Sequence, residues 1–143
     1  MNVKLALLAD YANVTAEGKL NILGIFDRIS VREMPFTHPQ MHVILRLEAH
    51  AAERNRTHGI EIRLYDPDGQ TVFQVNGEMV PQGPPGQTIA TNQILTLNNL
   101  PLTKPGGYMF VVFVNNDLKT EIPLGIELTS LPASPGKPVS DAN

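Results

Sequence analysis

Apolar and polar residues alternate in short runs along this chain, and each run is closed by Gly, Pro, Asn or Asp. The last run is the clearest, because its apolar residues all point one way: Ile122, Leu124, Ile126 and Leu128. A period of two is typical of a strand with one face in a core and the other in water. The runs are separated by turn residues and show no helical pattern. The chain is therefore predicted to be all-β, an antiparallel β-sandwich of eight or nine strands.

The predicted strands follow one another from residue 3 to residue 128. They cover residues 3–9, 19–31, 41–49, 60–64, 71–79, 89–97, 108–114 and 118–128. A ninth strand arises if the long second run breaks near Asp27. Pro123 lacks an amide donor, so the last strand should lie at a sheet edge or begin pairing after this residue.

A chain of 143 residues is of the size of one domain. We assign residues 1–129 to the β-sandwich. Residues 130–143 contain three prolines and show no periodicity, which predicts a disordered, Pro-rich C-terminal tail.

The composition excludes several classes of protein. There is no cysteine, so thiol chemistry and zinc–thiolate sites are excluded. The first apolar run is interrupted by Lys4 and stops at Asp10, unlike a signal peptide, and no run is long enough to span a membrane. Basic residues are scattered in a chain of net charge −3. We expect a cytoplasmic protein with no nucleic-acid or membrane partner.

No residue pattern points to catalysis. The chain has no Gly-x-Ser-x-Gly motif and no Gly-rich phosphate loop, so no catalytic residue, cofactor or metal is predicted. His50 and His58 flank the loop at residues 51–57 and could face each other near Glu53. Two histidines and a carboxylate suffice for a weak metal site, which stays open as an alternative to solvated loop residues.

The segment 7–14, Leu-Leu-Ala-Asp-Tyr-Ala-Asn-Val, is followed at 17–27 by Glu-Gly-Lys-Leu-Asn-Ile-Leu-Gly-Ile-Phe-Asp. With Asp68-Gly69 and the run Leu102 to Phe110, it resembles an uncharacterised family of small bacterial proteins, known only as a domain of unknown function. The resemblance implies a single bacterial β-sandwich domain. It brings no activity and no site residues with it.

The strand at residues 108–114 departs from the alternation, because it is apolar on both faces. A strand of this kind is usually buried on both faces, whereas a two-layer sandwich buries only one. The second face therefore needs a cover, for which the Pro-rich loop at 81–86, the C-terminal tail and a second subunit are alternatives. We predict an apolar outer sheet face with these candidate interface residues: Tyr108, Phe110, Val112, Val114, Ile94 and Ile44.

These features favour a binding protein over an enzyme. The predicted function is a non-enzymatic protein-interaction or assembly module, with a partner protein or a second copy of the chain on that apolar face. The alternative is a sandwich that binds a small ligand or carbohydrate through loops at one end: residues 51–57, 81–86 and 115–117.

Overall fold

The computed structural model describes residues 1–129, which form nine strands and one short 3-10 helix at Ala51–Glu53. The strands are β1 (Asn2–Val14), β2 (Leu20–Phe26), β3 (Arg28–Val31), β4 (Phe36–Ala49), β5 (His58–Tyr65), β6 (Thr71–Met79), β7 (Ile89–Leu102), β8 (Gly106–Val114) and β9 (Asp117–Leu128). The predicted all-β sandwich is confirmed. The predicted tail at residues 130–143 lies outside the described residues.

Two sheets face each other across one apolar core. The first has the strand order β2-β1-β4-β7, and the second has the order β3-β9-β8-β5-β6. Every neighbouring pair is antiparallel except β3 and β9, which are parallel. The core lies between the sheets, and its largest fully buried side chains include Tyr108, Phe110, Leu8, Met41, Leu45, Leu47, Leu64, Leu102 and Leu124.

Turn chemistry fixes the tight connections. Gly69 ends the β5–β6 turn with a φ of 83°, and the Asp66 carboxylate accepts hydrogen bonds from the Asp68 and Gln70 amides. Asn115 and Asn116 have φ angles of 51° and 68° between β8 and β9. Two consecutive residues at positive φ suit the right-handed twist of a two-residue hairpin, and asparagine tolerates that conformation.

Two boundaries differ from the pattern or refine it. The long second run does break at Asp27, where the chain passes from the first sheet to the second. The fourth strand begins at Phe36 and includes Pro39, whereas the sequence pattern predicts a start at residue 41. Residues 36–40 pair with β7 and not with β1, so this segment has one free side, where proline is tolerated.

Both expected arrangements of the strand around Pro123 are wrong, because β9 has a partner on each side and pairs with β8 from Asp117 onwards, Pro123 included. β9 is an inner strand, but its pairing with β3 begins only at Gly125. The missing amide of Pro123 is thus outside the β3–β9 ladder. Within residues 1–129, no helix is long and apolar enough to cross a membrane.

Candidate interaction surface

The side chains predicted to form an outer face on β8 point into the core instead. Tyr108, Phe110, Val112 and Val114 are each at most 2% exposed and pack against residues of both sheets. The Tyr108 hydroxyl is satisfied there, because it donates to the Lys104 carbonyl at 2.8 Å. The prediction that these four residues form an outer surface is therefore wrong. The alternation had separated the two faces of the strand correctly, but it could not say which of them faces the other sheet.

The opposite face of β8 is covered by long side chains of the same sheet. Val111 is buried, and Phe113 lies under the Arg63 guanidinium, whose carbon is 4.6 Å from the ring centroid. Arg63 also donates to the Tyr65 hydroxyl and the Glu61 carboxylate, and these two contacts raise its pKa above the usual value. A cation over an aromatic face both shields the ring and keeps its charge in water. Arg63 thus covers Phe113, whereas Leu118, opposite Phe113 on β9, stays exposed on the same face.

Ile44 and Ile94 do lie on the outer face of their sheet, but the chain covers them as well. Ile44 is completely buried and Ile94 is partly buried. They pack against residues of the β1–β2 hairpin, namely Ala12, Leu20 and Ile22, in a second small apolar cluster. These two residues therefore belong to an internal contact and not to a free interface.

The hairpin reaches these residues by folding across the sheet. β1 pairs with β4 only as far as Ala9, opposite His42, while its pairing with β2 continues to Val14. At the hairpin turn, the Gly18 carbonyl accepts a hydrogen bond of 3.4 Å from the Asn92 amide on β7. Since β7 lies on the far side of β4 from β1, the hairpin must cross over β4.

The corner of the hairpin lies at Asp10 and Gly24. Gly24 has a φ of 71°, and a Cβ atom built on it would be 2.5 Å from an Asp10 carboxylate oxygen. The position therefore needs glycine for both its backbone conformation and its close contact. The Asp10 carbonyl lies 3.1 Å from Nδ1 of buried His42. The sequence signal was available here as an isolated glycine within a strand pattern.

The folded hairpin exposes apolar side chains on its outer side. Leu23 is 63% exposed and Ile25 is 64% exposed, and Tyr11, opposite Leu23, is 47% exposed. We call Tyr11, Leu23 and Ile25 the hairpin patch. The free side of β2 pairs with no other strand among residues 1–129. The patch therefore combines exposed apolar side chains with unpaired backbone groups.

An apolar groove continues from the patch. It has a volume of about 330 Å³ and runs between β1, the end of β2 and β9. Ile25 belongs to both the patch and the groove, whose other lining residues are Ala6, Leu7, Leu8, Phe26, Asp27, Ile122 and Pro123. β2 pairs with β1 only from Leu8 onwards, so the preceding part of β1 also has a free side here.

Sequence reasoning missed this surface although β2 carries the signal that drew attention to β8. In a continuous strand, Leu20 and Ile22 lie on one face and Leu23 and Ile25 lie on the other. The run is therefore apolar on both faces. The same pattern thus marks a central strand and an exposed edge strand. Strand order, which the pattern does not contain, decides between them.

The three loops of the alternative prediction do meet at one end of the sandwich. The Asn55 amide donates to the Pro81 carbonyl at 2.9 Å, and Asn115 and Gly59 exchange hydrogen bonds of 2.9 Å. His58 is buried between the loops. Its Nδ1 lies 2.9 Å from the Asn115 amide nitrogen and its Nε2 lies 3.0 Å from the Glu53 carbonyl.

These contacts bear on the metal site considered for His50 and His58. With Nδ1 accepting from Asn115, Nε2 carries the proton and donates to the Glu53 carbonyl. Both ring nitrogens of His58 are thus occupied, and neither is available to a metal ion. The Glu53 carboxylate accepts from the His50 amide at 2.7 Å. Among residues 1–129, no group of three or more His, Asp or Glu side chains could hold a metal ion.

A polar depression of about 440 Å³ lies beside these loops on the outer face of the second sheet. Gly59 stands in it opposite Glu78, and a Cβ atom on Gly59 would meet nothing within 4 Å. The absence of a side chain there leaves room between the neighbouring side chains. They are Glu61, Asn76, Glu78, Phe113, Asn115 and Asn116.

Comparison with known proteins agrees with the resemblance of the opening segment. Residues 4–127, which include all nine strands in whole or in large part, match a family of unknown function, DUF6941. No curated protein matches the chain. The match covers the folded hairpin, its patch and the loop end alike. The chain therefore belongs to DUF6941, a family of unknown function.

Proposed function

We propose that this protein is a non-enzymatic interaction module whose binding surface is the hairpin patch with its adjoining groove. The observation that carries the proposal is the exposure of Leu23 and Ile25, each more than three-fifths accessible on an edge strand with a free side. Contiguous apolar surface on a protein of this size commonly marks an interaction site. The proposal keeps the predicted class of function and moves the surface from β8 to β2.

The chemistry of the edge supports strand addition. Residues 20–26 contain no charged side chain, whereas natural sheet edges are usually protected by charges or by short length. β3, the edge of the other sheet on this side, is protected in both ways. It has four residues, and its Arg28 forms an ion pair of 2.9 Å with Glu127. An extended segment can pair with β2 and place apolar side chains on the patch.

The first partner to test is a second copy of the chain. The absolute mass in solution is measured by light scattering over a tenfold range of concentration, for the wild type and for the double variant Leu23→Ser, Ile25→Ser. We expect the wild type to reach a multiple of 15.7 kDa, the mass of one chain, and the double variant to remain a monomer of 15.7 kDa. Leu118→Ser is the control, because Leu118 is 57% exposed but lies outside the patch.

A monomeric wild type at every concentration directs the test to other proteins. Immobilised wild type and the double variant are then compared in pull-downs from the native cell extract. Proteins retained by the wild type and by Leu118→Ser, but lost with the double variant, support the patch. Identical sets of retained proteins would contradict the proposal.

A second candidate function is the binding of a small polar ligand, such as a sugar, in the depression at Gly59. It is favoured by the open space above Gly59 and by the amide and carboxylate groups around it. Gly59→Leu fills this space without a backbone clash. We expect monosaccharides to raise the thermal unfolding temperature of the wild type and not that of Gly59→Leu. Equal responses of the two proteins would rule out this site.

A further inference from the structure

The side of the sandwich opposite the hairpin patch is not closed by strand pairing. β6 and β7 are the edge strands of different sheets, and no backbone ladder joins them. The hydrogen bonds across this seam run from the side chains of Thr91 and Gln93 to the sulfur of Met79, at 3.7 and 4.0 Å. Thioether sulfur is a weak acceptor, so the seam is held loosely by polar contacts.

A cavity of about 180 Å³ opens at this seam and reaches the apolar core. Its inner wall is made by aliphatic residues of both sheets, namely Val43, Leu45, Ile60, Ile62, Val75 and Leu95. A dry cavity of ~150 Å³ with walls of this kind is large enough to hold benzene. The cavity is thus the size of a single aromatic ring or a short alkyl chain.

Gly77 keeps the cavity open. It lies opposite Ile60, whose side chain points into the core, so the missing side chain of Gly77 would point the same way. A Cβ atom at this position would meet nothing within 4 Å, and the backbone is not in the left-handed region. The backbone therefore does not require glycine here, and a Cβ atom has room. Glycine weakens a strand interior, and its presence in a strand often marks the close approach of a ligand.

The mouth of the cavity carries polar groups that lack strong partners. Gln93 lies on the inner side of β7, opposite Leu45, and its amide donates only to the Met79 sulfur among the described residues. Within residues 1–129, the single charged residue of the lining is Glu78, next to Gly77. A neutral hydroxyl or amide can pair with Gln93, whereas a carboxylate would be repelled by Glu78.

We propose that the cavity at the β6–β7 seam binds a small neutral amphiphile. Its ring or short alkyl chain occupies the space behind Gly77, and its uncharged polar end forms a hydrogen bond with Gln93. This site is separate from the hairpin patch, and neither proposal depends on the other.

Benzyl alcohol is the probe for the test, and the methyl resonances of Ile60, Ile62, Val75 and Leu95 report its position. We expect saturable shifts of these methyl groups in the wild type, and a loss of at least tenfold in affinity in Gly77→Val. Gly77→Val should also unfold at a higher temperature than the wild type, because it fills unused space. Gly59→Val is the matched control, since it adds the same side chain to the outer face of the neighbouring strand.

Two further comparisons test the chemistry of the mouth. Gln93→Leu should weaken benzyl alcohol binding severalfold and leave toluene binding unchanged, since toluene has no polar end. Benzoate should bind more weakly than benzyl alcohol, and Glu78→Gln should reduce that difference. If Gly77→Val does not fold, Gly77→Ala takes its place with a smaller loss of affinity. The proposal is overturned if the wild type shows no saturable shift, or if the Gly77 variant binds as the wild type does.

Discussion

The two sheets cover their outer apolar surfaces by different means. On the four-stranded sheet, Ile44 is buried under a hairpin of the chain that folds across it and brings its own apolar side chains. On the five-stranded sheet, Phe113 is covered by the charged head and stem of Arg63. The hairpin leaves Ile44 completely buried, but its other side faces solvent and exposes Leu23 and Ile25. The side-chain cover ends in a charge, but it reaches only Phe113: Leu118, opposite Phe113 on β9, stays 57% exposed.

The largest effect is expected from removing the residue under the hairpin. Ile44→Ala should lower the free energy of unfolding by about 2–5 kcal/mol, because it removes a fully buried side chain between two layers of backbone. Val111→Ala on the other sheet should cost about 1.5 kcal/mol, from the smaller apolar group lost. Urea unfolding of both variants provides the comparison. Equal losses would mean that the hairpin contributes no more than a side-chain cover.

The corner of the hairpin gives the next effect. Gly24→Ala should cost roughly 1–2 kcal/mol for the left-handed conformation, and more because its Cβ meets the Asp10 carboxylate. Gly18→Ala is the control, since Gly18 has a φ of 84° but open space around it. Adding Asp10→Ala to Gly24→Ala removes the carboxylate that the new Cβ meets. The stability that Gly24→Ala loses beyond Gly18→Ala should then be recovered. Identical unfolding midpoints for Gly24→Ala and Gly18→Ala would show that the contact with Asp10 is unstrained.

A smaller effect is expected from the cover on the five-stranded sheet. Arg63→Ala removes both the charge and the stem above Phe113, whereas Arg63→Met keeps an apolar stem. We expect Arg63→Met to retain more stability than Arg63→Ala in urea unfolding. The wild type should lose part of its advantage over Arg63→Met at high salt, because exposed charges are screened. Equal stability of the two variants would mean that the stem contributes nothing to the cover, since both variants lack the charge.

The smallest effect is a pH dependence of the free energy of unfolding. It arises at residues 36–40 of β4, which pair with β7 but not with β1. Desolvation between Phe26 and Phe36 lowers the pKa of His38, and this outweighs the opposing influences of the Gln40 backbone and the Asp10 charge. Its Nδ1 is buried without a partner among the described residues. The folded state therefore binds the His38 proton less readily than the unfolded state does.

The sign of this effect follows directly. As the pH falls through the unfolded-state pKa of about 6.5 towards the lower folded-state value, the unfolded chain takes up the proton first and stability is lost. The wild type should thus lose more stability between pH 7.5 and pH 5.5 than His38→Asn does. The comparison uses urea unfolding of both proteins at the two pH values. A parallel loss in both proteins would assign the pH dependence to other groups.

The fold was accessible from the sequence because alternation and turn residues are local properties. The runs at 71–79 and 108–114, and the turn at Asp66 to Gly69, follow directly from them. The candidate surface was not accessible, because it depends on which strands are neighbours. β8 and β2 are both apolar on two faces, yet one lies at the centre of a sheet and the other at an edge. The fold-over of the hairpin depends on one glycine corner, which alternation alone does not reveal.

The parallel pairing of β3 with β9 has a consequence for the order of folding. It joins residues 28–31 to residues 125–128, so about two thirds of the 143 residues lie within the loop that this contact closes. The entropy lost on closing a loop grows with its length, and contacts of such large sequence separation slow folding. During synthesis, β3 has no strand beside it until the last residues of β9 leave the ribosome. We therefore expect the five-stranded sheet to be completed last at β3, the strand that follows the passage of the chain between the two sheets at Asp27.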